Sequence, residues 1–515
     1  MMNKSKLISI MDTTLRDGEQ TPDISYTASE KLHVARMLLK DLNVDRIEIA
    51  SARTSKGEFE SSKRIADWAK NKDYIDRIEI LGFCDHKLSA DWLNNAGLKV
   101  LNLLAKGSEL HCRRQLRMTP DQHLKSVHKT VDYANEIGLS VNIYLEDWSN
   151  GIKDNPNYVI DFVNQASKMN IKRILLADTL GILSPMKVSK YISFMVKEWP
   201  DMIFDFHGHN DYGLATANAL AAITAGAKGI HTSVNGLGER AGNISLSEIV
   251  ASINDHTNYS TSISEESLYK ASNLVETFSG KNIAANTPIL GSDVFTQTAG
   301  IHADGDAKGN LYETKLAPKR FGRERRYALG KLSGKASLDH NLAKLGINLS
   351  EKNKKIVLNR IIELGDRKHN VVPEDLLMII ADVLKTPSDQ IIRIENYKIK
   401  ISSNSIPEAY VSIKYKGKEF SASGKGDGGY DAFMTALKEA TSHFKLYLPL
   451  LADYRVRIAP GGKTEALVET LIRWGSKDDE SKSFVTVGVD SDQTAAAVIA
   501  TEKMLNIIIH KSMID

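Results

Sequence analysis

Roughly the first 250 residues repeat one arrangement of hydrophobic and polar positions. A short apolar run rich in β-branched residues precedes a polar turn and a segment with apolar residues near a 3.6-residue period. The runs that fit a strand are LISIMD, DRIEIAS, RIEILGF, VLNLLAK, SVNIYLE, RILLAD, FDFHGH and GIHTSVNG. Eight strands alternating with eight helices predict an α/β fold, a (β/α)8 TIM barrel. An open doubly wound sheet is the competing topology, but no GxGxxG follows the first strand.

The pattern changes after residue 258. Residues 286–313 form a long Gly-rich stretch with little periodicity, and a loop of this length inside a compact protein is usually functional. Residues 335–385 carry mostly helical patterns. We therefore expect a barrel domain at 1–258, followed by lid and helical linker subdomains at 276–388.

The remaining segment, residues 389–515, contains a weak internal repeat. Similar stretches begin at Phe420 and Phe484, 64 residues apart, and each fits a strand, a turn that starts at a glycine (Gly424 or Gly488) and a helix. Two such units predict a pseudo-symmetric α+β domain. Sensing of a small ligand and dimerisation are both open as its role.

Composition excludes several classes of partner. Apolar residues make up 42% of the chain and charged residues 25%, as in soluble globular proteins. The net charge is only +3 and the two signs are interleaved, so we expect no nucleic-acid partner and no membrane surface. Only two cysteines, Cys84 and Cys112, are present, which fits a reducing cytoplasm. The N-terminal segment lacks the apolar core of a signal peptide, and no stretch approaches the roughly 18 apolar residues of a membrane span.

The segment HGHND places His207 and His209 on alternate positions at the end of the seventh predicted strand. Alternate residues of a strand face the same side, so these imidazoles can share one divalent ion. Barrel enzymes keep their active sites at this end of the strands. The other strand ends supply Arg16, Asp17, Glu48, Glu146, Asp147, Asp178, Thr179 and Asn243. Helix N-caps would explain one or two of these residues but not the whole set, so we predict a metal-dependent active site.

Three motifs, TLRDGEQ, HGHND and NGLGERAGN, resemble those of the isopropylmalate, homocitrate and citramalate synthases. These are metal-dependent barrels that perform Claisen condensations and are related to hydroxymethylglutaryl-CoA lyase. The resemblance covers the whole chain, and it implies a catalytic domain that extends to about residue 275. It also implies that the C-terminal repeat is an amino-acid-binding regulatory domain.

The resemblance implies a role for each residue of the rim. The metal ligands would be Asp17, His207, His209 and Asn243, a set that suits Zn, Mn or Mg. Arg16 would stabilise negative charge on the carbonyl of a 2-oxo acid, and Glu48 would orient Arg16. Thr179 would bind the substrate carboxylate through its hydroxyl.

The second substrate implied by the resemblance is acetyl-CoA. Glu146 would remove a proton from its methyl group, assisted by His302 and Tyr312. In the family these two residues belong to a lid that reaches into the barrel of the partner subunit, which implies a homodimer. In the regulatory domain, Asp431 and Tyr454 are candidate contacts for an isoleucine effector.

Bulky side chains follow strands three to five, where the best-known isopropylmalate synthases have small or polar residues. Leu81, Leu104 and Tyr144 would fill the space that a branched 2-oxo acid needs, so we expect pyruvate as the substrate and citramalate as the product. The alternatives are that these are ordinary barrel-core residues, or that 2-oxoisovalerate is the substrate. A lyase or aldolase on the same metal barrel, and a metal-holding amino-acid sensor without catalysis, are the other hypotheses.

Overall fold

The computed structural model describes residues 6–70, 72–309, 311–345, 347–366, 371, 375–376, 379–380, 391–444, 446–458, 468–475 and 483–514. The chain forms two compact units. Unit 1 comprises Met1–Phe295 and Thr314–Glu324, and unit 2 comprises Thr296–Glu313 and Arg325–Asp515.

Unit 1 is built on a closed barrel of eight parallel strands, which confirms the predicted TIM barrel over the open sheet. Its strands are Ser9–Asp12 (β1), Arg46–Ser51 (β2), Ile78–Phe83 (β3), Val100–Lys106 (β4), Ser140–Glu146 (β5), Ile174–Asp178 (β6), Phe204–Gly208 (β7) and Gly229–Thr232 (β8). They pair in chain order, and β8 pairs with β1 to close the barrel, with His231 opposite Met11. Each strand coincides with one of the β-branched runs of the sequence.

Helices follow the strands on the outside of the barrel. They are Ala28–Arg36 (α1), Lys56–Lys70 (α2), Leu88–Asn95 (α3), Glu109–Arg114 (α4), Pro120–Glu136 (α5), Trp148–Asp154 (α6), Pro156–Ala166 (α7), Pro185–Glu198 (α8), Ala215–Thr224 (α9), Leu246–His256 (α10) and Leu268–Ser279 (α11). Thr27 and Thr119 are the N-caps of α1 and α5, and each forms a capping box. The threonine hydroxyl accepts a backbone N–H of the first turn, and the side chain of Glu30 or Gln122 accepts the backbone N–H of the threonine. Among the described residues, no helix has the length and apolar character to cross a bilayer.

Two separate apolar clusters stabilise the barrel. The large one lies between strands and helices and includes fully buried residues such as Ile47, Leu101 and Phe206. The small one fills the barrel interior and consists of Met11, Leu81, Tyr144, Leu175 and Ala177, with Leu104 packed against it. Because successive strand residues face opposite sides, a strand can contribute to both clusters, as β1, β3, β5 and β6 do. The residues predicted to form the substrate wall, Leu81, Leu104 and Tyr144, belong to this interior cluster or pack against it.

Unit 2 begins within the Gly-rich segment, at Thr296, and contains the short helix Gly300–Ala307 (α12). Two-residue strands, Thr296–Gln297 and Arg326–Tyr327, pair in parallel on either side of it. Helices Lys335–Lys344 (α13) and Glu351–Asp366 (α14) confirm the helical prediction over the first part of 335–385. Most of residues 367–390 lie outside the described residues.

The C-terminal part of unit 2 contains the predicted repeat. Its two three-stranded antiparallel sheets are Ile392–Ser402 (β9), Ser405–Tyr415 (β10) and Lys418–Lys425 (β11), and Leu450–Ile458 (β12), Val468–Gly475 (β13) and Phe484–Asp490 (β14). Each is followed by a helix, Gly429–Ser442 (α15) or Gln493–Ile514 (α16). The α+β class of this domain is confirmed.

The repeat glycines, however, do not start the turns. Gly424 lies inside β11, paired with Ala409, and Gly488 lies inside β14. A Cβ atom on Gly424 would lie 2.4 Å from the backbone nitrogen of Ala436 in α15. The glycine therefore permits close strand-to-helix packing, and the prediction that it begins a turn was wrong.

Gly424→Ala should lower the free energy of unfolding of unit 2 by about 1–3 kcal/mol, because the added methyl group collides with helix backbone that cannot move alone. Urea denaturation followed by circular dichroism measures this. Gly330→Ala is the matched control in the same unit, since a Cβ there meets no atom within 4 Å. Equal stability of the two variants would contradict the packing role.

Candidate active site

Three side chains that can bind a metal ion converge at the carboxyl end of the barrel. Asp17 lies in the turn after β1, His207 lies in β7 and His209 directly follows β7. One ligand atom from each lies within 4.8 Å of the others. The Nε2 atom of His207 is 3.2 Å from Oδ2 of Asp17 and 3.4 Å from Nε2 of His209. All three residues are buried, so the cluster has the donor types and the spacing of a divalent-ion site.

Asn243, the fourth predicted ligand, lies beside this cluster. Its backbone forms a bridge with His209. Its amide Nδ2 donates to the carbonyl of Leu237 at 3.0 Å, which fixes the amide orientation, and its Oδ1 is buried without a hydrogen-bond donor. A buried acceptor without a donor is costly unless a cation or a proton donor satisfies it. The residues present therefore fit a divalent ion.

Protonation of the cluster also suits a metal site. Burial alone would raise the pKa of Asp17, but Arg16 and the His207 ring hold it below its ordinary value, so Asp17 is a carboxylate. Burial, together with His207, lowers the pKa of His209 to about 4. His209 is therefore neutral at physiological pH, with a lone pair free for a metal ion.

Arg16 is held next to the cluster by a buried carboxylate. Its Nε donates to Oε2 of Glu48 at 2.5 Å, and its Nη1 lies 3.4 Å from Oδ2 of Asp17. The other oxygen of Glu48 accepts from Nδ2 of Asn102 at 2.7 Å, and Asn102 Oδ1 accepts from Asn142 at 2.8 Å. Glu48 thus uses both oxygens and has little freedom to move. This is the contact expected between Arg16 and Glu48.

Tyr144 joins Arg16 to the barrel interior. Its hydroxyl lies 2.9 Å from Nδ1 of His231 and 3.5 Å from Nη2 of Arg16. Burial, with the nearby Glu48, raises the pKa of Tyr144, so the phenol is neutral. Its ring packs with Leu81 in the interior cluster, beside Leu104. Leu81, Leu104 and Tyr144 thus lie inside β3, β4 and β5, where they pack in the barrel core, and not after the strands as expected. Their role as a substrate wall stays a prediction.

Glu146 and Thr179 lie at neighbouring strand ends. The Glu146 carboxylate forms a close ion pair with Nζ of Lys106, which is opposite it in the β4–β5 register. The Thr179 hydroxyl oxygen accepts from the backbone N–H of Asp147 at 2.8 Å. That bond leaves the hydroxyl proton of Thr179 available to a substrate carboxylate. The predicted role of Thr179, donation of a hydrogen bond to the substrate carboxylate, requires this proton.

The backbone of Lys106 is held by a closed ring of hydrogen bonds. Its N–H lies 3.4 Å from Nε2 of His123, His123 Nδ1 lies 3.3 Å from the Tyr158 hydroxyl, and that hydroxyl donates to the Lys106 carbonyl at 3.0 Å. Because Nε2 of His123 accepts the N–H of Lys106, the proton of the neutral ring is assigned to Nδ1. Burial, with the Lys106 ammonium, lowers the pKa of His123 to about 4.

Four further predicted residues lie in unit 2. The rings of His302 and Tyr312 have centroids 4.3 Å apart, so the structure brings this pair together. Asp431 accepts the backbone N–H of Asp427 at 2.9 Å and thereby orders the turn before α15. Tyr454 packs its ring 5.2 Å from that of Tyr430. Effector binding by Asp431 and Tyr454 stays a prediction.

Three family models match successive parts of the chain. A family model described as HMGL-like matches residues 7–275, the homocitrate synthase post-HMGL domain-like model matches 289–369, and the LeuA allosteric (dimerisation) domain matches 370–509. An (R)-citramalate synthase of Methanocaldococcus jannaschii is 34% identical over 508 residues, covering 98% of this chain and 100% of that protein. The chain belongs to the isopropylmalate, homocitrate and citramalate synthase family.

Other members of this synthase family have different names at similar identity. A probable 2-isopropylmalate synthase of Methanopyrus kandleri is 32% identical, covering 97% of this chain and 98% of that protein. Among solved structures, a hydroxymethylglutaryl-CoA lyase of Bacillus subtilis is 21% identical with a TM-score of 0.48, covering 54% of this chain and 95% of that chain. Overall identity therefore does not identify the 2-oxo acid.

Several residues around this candidate site carry no motif that would have predicted them. Asn102 and Asn142 are polar residues inside otherwise apolar strands, each two positions before a predicted wall residue, and that interruption was the available signal. Lys106 ends its strand as the charged rim residues do. His231 lies inside a strand, and nothing in its neighbourhood in the sequence distinguishes it from a structural histidine.

Acid should destabilise the folded protein partly through His123. Its pKa is about 4 when folded and 6.5 in the reference state, so the neutral form's contribution is complete above about pH 6.5 and is lost as the pH falls toward 4. Between pH 7 and pH 5 this loss is about 2 kcal/mol. Urea denaturation at both pH values should show a smaller acid loss for His123→Gln than for the unmodified chain.

The exposed His128 on the same helix provides the control. His128→Gln should keep the acid sensitivity of the unmodified chain. If His123→Gln lost as much stability between pH 7 and pH 5 as the unmodified chain, the buried neutral imidazole would not contribute to the acid sensitivity.

Proposed function

We propose that this synthase condenses acetyl-CoA with pyruvate to give (R)-citramalate and free CoA, which makes it an acyltransferase that uses a divalent ion (Zn, Mn or Mg). The observation that carries the proposal is the apolar wall of Leu81, Leu104 and Tyr144, joined to Arg16 through the Tyr144 hydroxyl. Such a wall suits the methyl group of pyruvate. The free thiols of Cys84 and Cys112 support the cytoplasm as its compartment.

The rim residues would bind and polarise the 2-oxo acid. Asp17, His207, His209 and Asn243 would hold the ion, which when bound supplies a Lewis acid for the keto group. Arg16 is permanently charged and fixed by Glu48, so it opposes negative charge that develops on the keto oxygen. Thr179 would donate its hydroxyl proton to the substrate carboxylate.

Glu146 would act as the base toward acetyl-CoA. It takes a proton from the methyl group, the resulting carbon forms a bond to C2 of pyruvate, and the keto oxygen becomes a hydroxyl by gaining a proton. Water then cleaves the thioester, which releases a carboxylate and the CoA thiol. The ion pair with Lys106 holds Glu146 at the rim. His302 and Tyr312, from the lid of a partner subunit in a homodimer, would assist.

The second candidate is 2-isopropylmalate synthase, which would use 2-oxoisovalerate. The relatives with that name, at 32% and 31% identity, favour it. A wall of apolar contacts discriminates by only about 1–3 kcal/mol for each methylene-sized difference, so partial overlap between 2-oxo acids is expected.

Thiol release from acetyl-CoA should be faster with pyruvate than with 2-oxoisovalerate by about tenfold or more, because the larger substrate collides with the wall. Ellman's reagent follows the thiol, and a chelator should abolish release until a divalent ion is restored. Leu81→Ala should lower the ratio of the rate with pyruvate to the rate with 2-oxoisovalerate, whereas Leu88→Ala, at an exposed position, should leave that ratio unchanged. Faster turnover of 2-oxoisovalerate by the unmodified chain would refute the citramalate assignment.

We further propose that isoleucine inhibits the enzyme through the C-terminal domain, as the match to an allosteric (dimerisation) domain suggests. Tyr454→Ala should relieve inhibition several-fold at a fixed isoleucine concentration, since a ring near Tyr430 is lost, while activity without effector is unchanged. Tyr447→Ala, at a highly exposed position of the same domain, is the control. Inhibition by leucine in place of isoleucine would favour the isopropylmalate alternative.

A further inference from the structure

One residue of the TLRDGEQ motif has no role in the chemistry described so far. Glu19 lies two residues after Asp17, and its Oε2 is 2.6 Å from Nζ of Lys31. Its other oxygen accepts the backbone N–H of Tyr26 at 2.8 Å, so the carboxylate is fixed at both ends. Glu19 therefore points to a fully buried ammonium on α1.

The Lys31 ammonium joins segments that are distant in sequence. It lies 3.1 Å from the carbonyl oxygen of Leu15 and 3.3 Å from that of Ile49. Glu58, in the first turn of α2, contacts it with both oxygens at 2.6 and 2.8 Å. An ammonium has three N–H donors, and the two carbonyls and two carboxylates around Lys31 use all of them. A lysine without exposed surface is retained only with such compensation.

The two carbonyls lie next to the residues of the Arg16–Glu48 pair. Leu15 immediately precedes Arg16, and Ile49 immediately follows Glu48. A hydrogen bond to each carbonyl fixes the backbone on which the corresponding charged side chain stands. The same ammonium thus sets the separation between the turn after β1 and strand β2.

We propose that Lys31 is a positioning residue, which holds the Arg16–Asp17 turn at a fixed distance from Glu48 and so places both the guanidinium and the Asp17 carboxylate for their work at the rim. The effect of Lys31 on catalysis rests on the proposed condensation, because it is measured as a change in kcat. The effect of Lys31 on ion binding through Asp17 does not rest on that reaction. The alternative is that Lys31 only contributes to stability, as any compensated buried charge does.

Arg77, a half-buried cation of the same domain, provides a stability control for that alternative. Its guanidinium likewise binds two backbone carbonyls of a neighbouring segment, those of Val44 and Asp45, with Nε 3.0 Å from the Asp45 oxygen. It stands just before β3, at the amino end of the barrel strands, where residues serve stability and not catalysis. Loss of either cation should lower the melting temperature.

The test compares Lys31→Met with Arg77→Met in the full chain. For Lys31→Met we expect kcat to fall by about tenfold to a hundredfold with little change in the KM for acetyl-CoA, and the Kd for Mn²⁺ measured by calorimetry to rise about tenfold, because a misplaced turn affects the rim and not the CoA site. Arg77→Met should keep both quantities within about twofold of the unmodified chain. Equal kcat and equal Mn²⁺ affinity in the two variants would overturn the proposal.

If Lys31→Met does not fold, the Glu19→Gln/Glu58→Gln double variant decides the question. It removes the charges that hold the ammonium but keeps acceptor oxygens of similar size, and we expect the same direction of change in Mn²⁺ affinity and kcat. Values within about twofold of the unmodified chain would refute the positioning role. Should the unmodified chain fail to release CoA with any 2-oxo acid, the proposed function fails, and Mn²⁺ affinity alone still tests Lys31.

Discussion

The Arg16 guanidinium directs its three nitrogens to three different parts of the site. Nε contacts the Glu48 carboxylate, Nη1 approaches the metal-ligand candidate Asp17, and Nη2 approaches the hydroxyl of Tyr144. A planar group with fixed donor directions constrains all three partners at once, which the flexible ammonium of a lysine would not do. Removing one partner of such a buried pair leaves an uncompensated charge and costs about 3–5 kcal/mol. The position of the substrate wall and that of the ion cluster are thus mechanically linked through one side chain.

This linkage explains why several polar side chains lie among the apolar residues inside the barrel. Asn102 donates to the second oxygen of Glu48, which would otherwise lack a partner. The hydroxyl of Tyr144 needs an acceptor, and Nδ1 of His231 can accept because burial lowers the pKa of His231 to about 3 and keeps that ring neutral. The apolar cluster of Met11, Leu175 and their neighbours surrounds these groups and excludes water. In a low-dielectric interior each charge–dipole contact is stronger, and an unpaired polar group is also more costly. The polar contacts and the apolar filling of the barrel therefore depend on each other.

The sequence was sufficient for the barrel and for the pairing of the two imidazoles because both depend on local patterns, whereas Asp17 and Asn243 were assigned to the ion through the family resemblance. Strand runs have a period of two and helices a period near 3.6, and the HGHND spacing places two imidazoles on one face irrespective of the rest of the fold. The position of Lys31 was not predictable, since a lysine in an amphipathic helix is usually solvated and its four partners come from other segments. Gly424 was misassigned for a related reason: a glycine before a helix suggests a turn, and only the packing of α15 shows that the strand continues through it.

Family membership and the proposed choice of substrate depend on different kinds of residue. The ion cluster, Arg16 and Glu48 are buried polar groups that contact one another, so replacing any one of them removes a partner from a buried charge or acceptor. Leu81 and Leu104 make only apolar contacts, and another apolar side chain of different size can replace them at small cost. Two positions among 515 barely alter overall identity. Relatives named as citramalate synthases and as isopropylmalate synthases can therefore lie at the same distance from this chain, and we propose that the wall, which overall identity does not reflect, selects the 2-oxo acid.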